Sequence, residues 1–298
     1  METRIRTIDA QDWARPPSGE DWRTEVEAGR VLWFPRMVFA LQPGERALLR
    51  PDLLAPGRRN ISLEASGRLQ NAAGDASVQA EVAALLARFS GQARVLCRAL
   101  FPGYEAHLRA APASLRPAEI TGRRQSVRAD DRRLHVDAFP SRPNRGERIL
   151  RVFSNIDPAG QPRVWRIGEP FTDVATRFLP QAKPYSPVQA HLLHALKVTK
   201  SLRSEYDHLM LQLHDRMKAD EDYQRRAPQE RFGFPAGSTW VCFSDQAVHA
   251  AMAGQNLLEQ TFHLPVAGQR DVEASPLAIL TRLAGRPLRG APLPPSTA

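Results

Sequence analysis

His135-Val136-Asp137 sets an imidazole and a carboxylate two positions apart. In an extended strand residues i and i+2 point to the same face, so the two side chains converge on one point. Nitrogen and carboxylate donors together suit iron(II). Structural zinc would call for cysteines, and the two present, Cys97 and Cys242, lie far from the triplet in sequence. A third ligand from another strand, such as His249, would complete a facial triad and leave positions for a bidentate keto acid and O2. Chemistry of that kind needs no protein nucleophile. Ser238, Asp245 and His249 could be read as hydrolase parts, but no Gly-x-Ser-x-Gly elbow surrounds the serine. His208 and His214, with Asp215 beside the second, sit six residues apart on a predicted helix, a spacing that puts the histidines on different faces. They are read as packing or surface residues.

To bring 135 and 249 together, strands on both sides of a long helical stretch must share a barrel. Strand-like runs occur at 125–128, 134–139, 148–156 and 163–167, separated by Gly and Pro signals. A helical block follows from 171 to 223, interrupted at Pro180, Pro184 and Pro187, and strand patterns return at 231–235, 239–244 and 257–264. The reading is an α+β chain whose β barrel, 118–270, is split by a helical insertion at 171–223. Upstream, 31–41 and 45–49 read as short strands. Residues 76–99 read as an amphipathic helix that Ser90 and Gly91 should kink. Residues 1–117 are expected to pack on the barrel, a short helix falls near 276–284, and the Pro-rich 286–298 should be loose. All 298 residues then make one domain.

The composition, 42% hydrophobic and 24% charged, is that of a folding chain. Two distant cysteines argue against a disulfide framework and for a reducing cytosol. The start lacks an apolar signal-peptide core, and no run of about 18 apolar residues is present. Net charge is +9 and the pI near 10.3, carried mostly by arginine; the lysines are only Lys183, Lys197, Lys200 and Lys218. This balance favours an anionic partner: nucleic acid, a phospholipid surface, or an acidic sugar or phosphate. No helix-turn-helix, zinc-finger or RNP string supports nucleic acid, and aromatics are 7%. An anion-binding module and a metal-binding barrel without turnover remain the competing readings.

Longer strings narrow the choice. HVDAFPSRPNRGERILRVFSNI (135–156), DPAGQPRVWRIGEPF (157–171), HLMLQLHDRMKADEDYQ (208–224) and FPAGSTWVCFSDQAVHAAMAGQNLLEQTFHLP (234–265) resemble the Kdo hydroxylase family. The resemblance implies a double-stranded β-helix (jelly-roll) oxygenase using Fe2+, 2-oxoglutarate and O2. It also implies hydroxylation of 3-deoxy-D-manno-oct-2-ulosonic acid (Kdo) at C3, on a lipid A precursor at the inner membrane of a Gram-negative bacterium. By the same resemblance His135, Asp137 and His249 are the iron ligands. Many related oxygenases anchor the far carboxylate of 2-oxoglutarate on a basic residue just beyond the distal histidine, yet 255–260 contains none. Arg151, alternating with Ile149 and Phe153 on one strand face, is the candidate anchor, and Arg148 on the opposite face is second; Arg163 and Arg166 follow. Arg142, Asn144 and Arg145 are candidates for the acidic sugar and nearby phosphates. Peripheral attachment to an anionic membrane is expected, with Arg123, Arg124, Arg142, Arg145 and Arg148 contributing charge and 31–41 the first apolar candidate.

Overall fold

The structure, a computed structural model, describes residues 3–17, 20–122 and 125–292. Among the described residues the strands are β1 (Ile5–Thr7), β2 (Val31–Phe34), β3 (Ile61–Leu63), β4 (Leu69–Gln70), β5 (Arg109–Arg116), β6 (Arg148–Asn155), β7 (Arg163–Gly168), β8 (Gln229–Phe234), β9 (Thr239–Phe243), β10 (His249–Ala253) and β11 (Leu257–Leu264). They form an eight-stranded sheet in the order β1-β2-β9-β6-β11-β5-β3-β4 and a three-stranded sheet β10-β7-β8. Apart from the parallel β1–β2 pair, every pairing is antiparallel.

Every residue of β6 is buried, because both of its faces are covered. After a short α1 (Trp22–Glu27) comes helix α2 (Ala76–Leu100), under which Leu150 and Val152 pack with Val82, Leu85, Leu86 and Phe89. Phe153 turns the other way and meets Trp165 of β7 at 5.1 Å between ring centroids. Phe234 of β8 stacks on Trp240 of β9 at 4.1 Å. The two sheets therefore face each other across an aromatic core. Four helices fill the connection from β7 to β8: α3 (Phe171–Phe178), α4 (Pro187–Ala195), α5 (Glu205–Ala219) and α6 (Glu221–Arg226). α3 and α5, joined by α7 (Pro276–Ala284), cover the outer face of the small sheet through Val174, Phe178, Leu213, Met217 and Leu280, which cluster with Val248 and Ala250. The order of layers is helix, large sheet, small sheet, helices. Cys97 on α2 and Cys242 on β9 are both buried free thiols in different layers.

Several expectations are corrected. The large sheet runs across the 117/118 boundary: the first 117 residues supply five of its eight strands. β5 was unforeseen because its Ala-Ala-Pro-Ala run lacks β-branched residues. Pro112 is tolerated there because the β5–β11 register shifts between Gln260 and Phe262, a bulge that removes the need for its missing N–H. In the 45–49 run Glu45–Leu48 is a 3-10 turn after Gly44, and 125–128 runs into another 3-10 turn, Val127–Ala129. Ser90 and Gly91 lie within an unbroken α2, whose buried stripe outweighs one glycine. The apolar run at 31–41 is core, with Val31, Leu32, Phe34, Met37 and Phe39 buried. The tail is tied down as far as described: Leu288 is buried, Arg286 pairs with Glu205 at 2.6 Å, and Glu205 N–H donates to the Arg289 carbonyl at 2.9 Å. Arg123, Arg124 and residues 293–298 lie outside the described residues.

Candidate metal centre

Leu134 and Val136 are buried against the outer helices, so His135 and Asp137 between and beyond them face the space between the sheets. The segment is no full strand. It is held at one bridge, where His135 N–H donates to the His249 carbonyl at 3.0 Å and His249 N–H returns to the His135 carbonyl at 2.9 Å. Asp137 N–H donates to the Ser244 carbonyl at 2.8 Å. Gly168 on β7 makes the register possible. Its N–H donates to the Val248 carbonyl at 2.9 Å, and a Cβ there would lie 2.4 Å from Val248 Cγ1.

The imidazoles are oriented by backbone carbonyls. His135 Nδ1 lies 2.7 Å from the Arg133 carbonyl and His249 Nδ1 2.8 Å from that of Ala247. A carbonyl only accepts, so each Nδ1 carries the proton and each Nε2 presents a lone pair. His135 Nε2 is 3.7 Å from Asp137 Oδ1, and one donor atom from each of the three residues falls within 4.8 Å of the others. Among the described residues this is the one such grouping of His, Cys, Asp or Glu. Trp165 stacks on His249 at 5.0 Å, and His214 abuts His135 edge-on at 5.5 Å.

The charge state is that of a metal site. Burial pushes both imidazoles down from their ordinary value, with the neighbouring His249 reinforcing the effect on His135 and Asp137 opposing it at His249. Burial works against the Asp137 carboxylate, but Arg151, His249 and His135 more than offset it and hold the group well below the usual carboxylate range. Two neutral imidazoles and one carboxylate result, the deprotonated donor set that a divalent cation requires. Asp137 Oδ2 is buried without a hydrogen bond and meets Arg151 Nη2 only as an ion pair at 3.1 Å. These residues fit a mononuclear iron.

A cavity of about 250 Å³ opens beside the triad, lined also by Arg116, Arg151, Phe153, Arg163, Trp165 and Glu259. Arg151 projects from β6 opposite Thr261 of β11 and Cys242 of β9. Its Nη1 reaches Glu259 Oε1 at 3.1 Å, and Glu259 also accepts from Arg116 Nε at 3.0 Å. An outer chamber of about 410 Å³ shares Asn60, Arg116, Phe139, Arg151 and Glu259 with the inner one and is lined further by Ser114, Arg142, Asn144 and His263.

Over residues 10–287 the sequence matches the family model of 3-deoxy-D-manno-oct-2-ulosonic acid (Kdo) hydroxylase. The chain belongs to the Kdo hydroxylase family. Kdo hydroxylase KdoO, a non-heme Fe(II) α-ketoglutarate-dependent dioxygenase, has been solved with cobalt(II). That structure superposes with a TM-score of 0.94 at 44% identity, covering 98% of this chain and 99% of that one. The same enzyme with α-ketoglutarate and Fe(III) gives 0.91 at 45% identity over 96% and 97% of the two chains. With succinate and Fe(III) it gives 0.92 at 43% over 98% and 99%. No curated protein matches.

Within this member of the Kdo hydroxylase family, the remaining candidates divide. Arg142 and Asn144 line the outer chamber; Arg145 is exposed at φ 56°, and its N–H, like that of Asn144, donates to Asp207 Oδ1, at 2.9 and 2.8 Å. Arg148 is corrected. It faces the α2 side of β6, fully buried, donating from Nε to Asp245 Oδ2 at 2.8 Å and lying over Phe243 at 4.0 Å, so it lines neither chamber. Its burial also removes it from the membrane-facing charge. Asp245, held there, takes no part in a hydrolase triad, and Ser238 Oγ donates to the Pro235 carbonyl. Arg163 lines the inner cavity, donating from Nη1 to the Gly254 carbonyl at 2.7 Å, whereas Arg166 is spent on Gln224 and Arg132 carbonyls. Sequence reasoning missed Arg116, Glu259 and Trp165. The only available signal was alternation: Glu259 and Thr261 share a face of β11 as Arg151 and Phe153 do on β6.

Proposed function

We propose that the protein is an Fe(II)/2-oxoglutarate/O2-dependent dioxygenase that hydroxylates Kdo at C3 on a lipid A precursor, in lipopolysaccharide biosynthesis. The observation that carries this is the convergence of His135 Nε2, His249 Nε2 and the Asp137 carboxylate beside a cavity, in a chain of the Kdo hydroxylase family. These three are the proposed iron ligands, and the facing sheets are read as a double-stranded β-helix. Bound iron(II), with 2-oxoglutarate and O2, supplies oxidation of a C–H bond while 2-oxoglutarate becomes succinate and CO2.

The chain's own residues do the rest. Backbone carbonyls of Arg133 and Ala247 hold the imidazoles in the ligating tautomer. Arg151 offers a carboxylate-binding fork beside Asp137, the proposed anchor for 2-oxoglutarate, with Glu259 and Arg116 fixing its position. Trp165 and Phe153 exclude water from the reacting side. Arg142, Asn144 and Arg145, at or near the outer chamber, are the proposed contacts to the acidic sugar. No helix among the described residues is long and apolar enough to cross a membrane. The proposed setting is the cytoplasmic face of the inner membrane of a Gram-negative bacterium, with peripheral attachment.

The test is turnover of Kdo-lipid A with Fe(II), 2-oxoglutarate and O2, reading succinate and one added oxygen on the sugar by mass spectrometry. Succinate release matched to sugar oxidation is expected. A protein that binds metal but releases no succinate with this acceptor would be a barrel without turnover, and the reading would be wrong.

A further inference from the structure

A helix on a protein surface normally buries its apolar stripe and shows its polar side to water. α4 does the reverse. Val188, Leu192 and Leu196 recur at i, i+4 and i+8 and are 79%, 57% and 64% exposed, and Val198 in the turn that follows is 53% exposed. Ala190, on the opposite side, is buried. This orientation is fixed by the fold. Ser186 caps the helix by accepting from Gln189 N–H at 3.2 Å, Pro187 sits at its first position, and buried Thr199 donates its N–H to the Leu193 carbonyl. Half of the large apolar residues exposed anywhere among the described residues lie in these eleven positions.

The charge carried by this segment is of one sign. Residues 174–204 contain no Asp or Glu, yet they hold three of the four lysines of the chain, Lys183, Lys197 and Lys200, all exposed. An apolar ridge whose own segment carries ammonium groups and no carboxylate complements a plane of anionic headgroups over an acyl layer. A second copy of the same face would bring like charges together. The segment is also joined to the mouth of the site. Lys200 N–H donates to the Ser141 carbonyl at 2.9 Å and Arg203 Nη2 to the Pro140 carbonyl at 2.6 Å, and Pro140, Ser141 and Arg142 line the outer chamber.

We infer that α4 and the turn to Lys200 dock this protein on an anionic phospholipid bilayer, setting the outer chamber against the headgroup layer. The inference deepens the reading of a lipid-linked acceptor and rests on it for the substrate's location. Val188, Leu192, Leu196 and Val198 enter the boundary between headgroups and acyl chains, while the three lysines meet lipid phosphates.

The experiment is flotation of the full chain with phosphatidylcholine vesicles, with and without phosphatidylglycerol, at low and high salt. Wild type should float with the anionic vesicles. L192S/L196S should bind about tenfold more weakly at both salt levels, because burial of two apolar side chains is lost. K197E/K200E should lose the salt-sensitive part. The added tryptophan of L192W should shift its emission to the blue on anionic vesicles only. Cobalt(II) binding, unchanged in each variant, reports the fold, and succinate release with detergent-dispersed Kdo-lipid A, without vesicles, reads the proposed activity separately from the docking. Wild type that stays in solution, double variants that float like wild type, or L192W that floats without an emission shift would each overturn the inference. So would self-association in buffer that L192S/L196S abolishes, which would assign the face to a second copy.

Discussion

Asp137 has two claims on it, the ion pair to Arg151 and the space it shares with His135 and His249. Removing any of the three donors would leave two of the proposed ligands. His135→Ala, Asp137→Ala and His249→Ala should each weaken cobalt(II) binding by more than about 100-fold and abolish succinate release without loss of fold. Normal oxygen-dependent turnover in one variant would remove that residue from the ligand set. Arg151→Ala should raise the 2-oxoglutarate KM strongly and leave the sugar KM little changed, with Arg151→Lys a partial rescue because a point charge cannot reproduce the fork. An unchanged 2-oxoglutarate KM would transfer the anchor to Arg163, Arg116 or Arg59, the other arginines of the inner cavity. His135 and Asp137 were legible because a strand-like period of two survives even where the chain makes only one bridge. Glu259 and Arg116 were not, because their meaning comes from β5, β11 and β6 lying side by side, which no local pattern states.

At the scale of elements, the site depends on how closely β7 and β10 approach. Gly168→Ala should push Val248 outward, and with it the backbone that carries His249 one residue on. Cobalt(II) affinity should fall about 10-fold, a displacement effect like that of losing a ligand's supporting contact, while far-ultraviolet circular dichroism stays unchanged. Affinity equal to wild type would show that β10 yields without moving the imidazole. The strands that could be read from sequence, β2, β6, β7, β8, β9 and β11, are those that carry large aliphatic or aromatic side chains. β10, His-Ala-Ala-Met-Ala, and β5, with its Ala-Ala-Pro-Ala run, carry mostly small residues, which give no strand propensity signal. Arg148 shows the opposite failure. Alternation put it on the far face of β6, but only the tertiary structure supplies Asp245 and Phe243 to make that far face its home.

For the molecule as a whole, one buried imidazole predicts a loss of stability in acid. His263 lines the outer chamber with a buried Nδ1 that has no hydrogen bond, and burial, helped by Arg109, pushes its pKa down from 6.5 to about 4. The unfolded chain binds a proton there below pH 6.5 while the folded protein does not until about pH 4, so this contribution to stability is intact above 6.5 and is lost progressively between those values. Urea unfolding at pH 7.5, 5.5 and 4.5 should show stability falling with pH, and His263→Gln should flatten that fall. An identical slope in the variant would assign the acid sensitivity to other groups. The buried thiols can time such openings. Cys97 and Cys242 are protonated and sealed in separate layers, so neither reacts until its own layer parts from the next. Because α2, β6 and β11 share one apolar cluster, both interfaces of the large sheet should open together, in one cooperative unfolding. The two cysteines should therefore be labelled at a single rate, a clock with two hands that keep the same time, and earlier labelling of Cys97 would reveal a helix that lifts away alone.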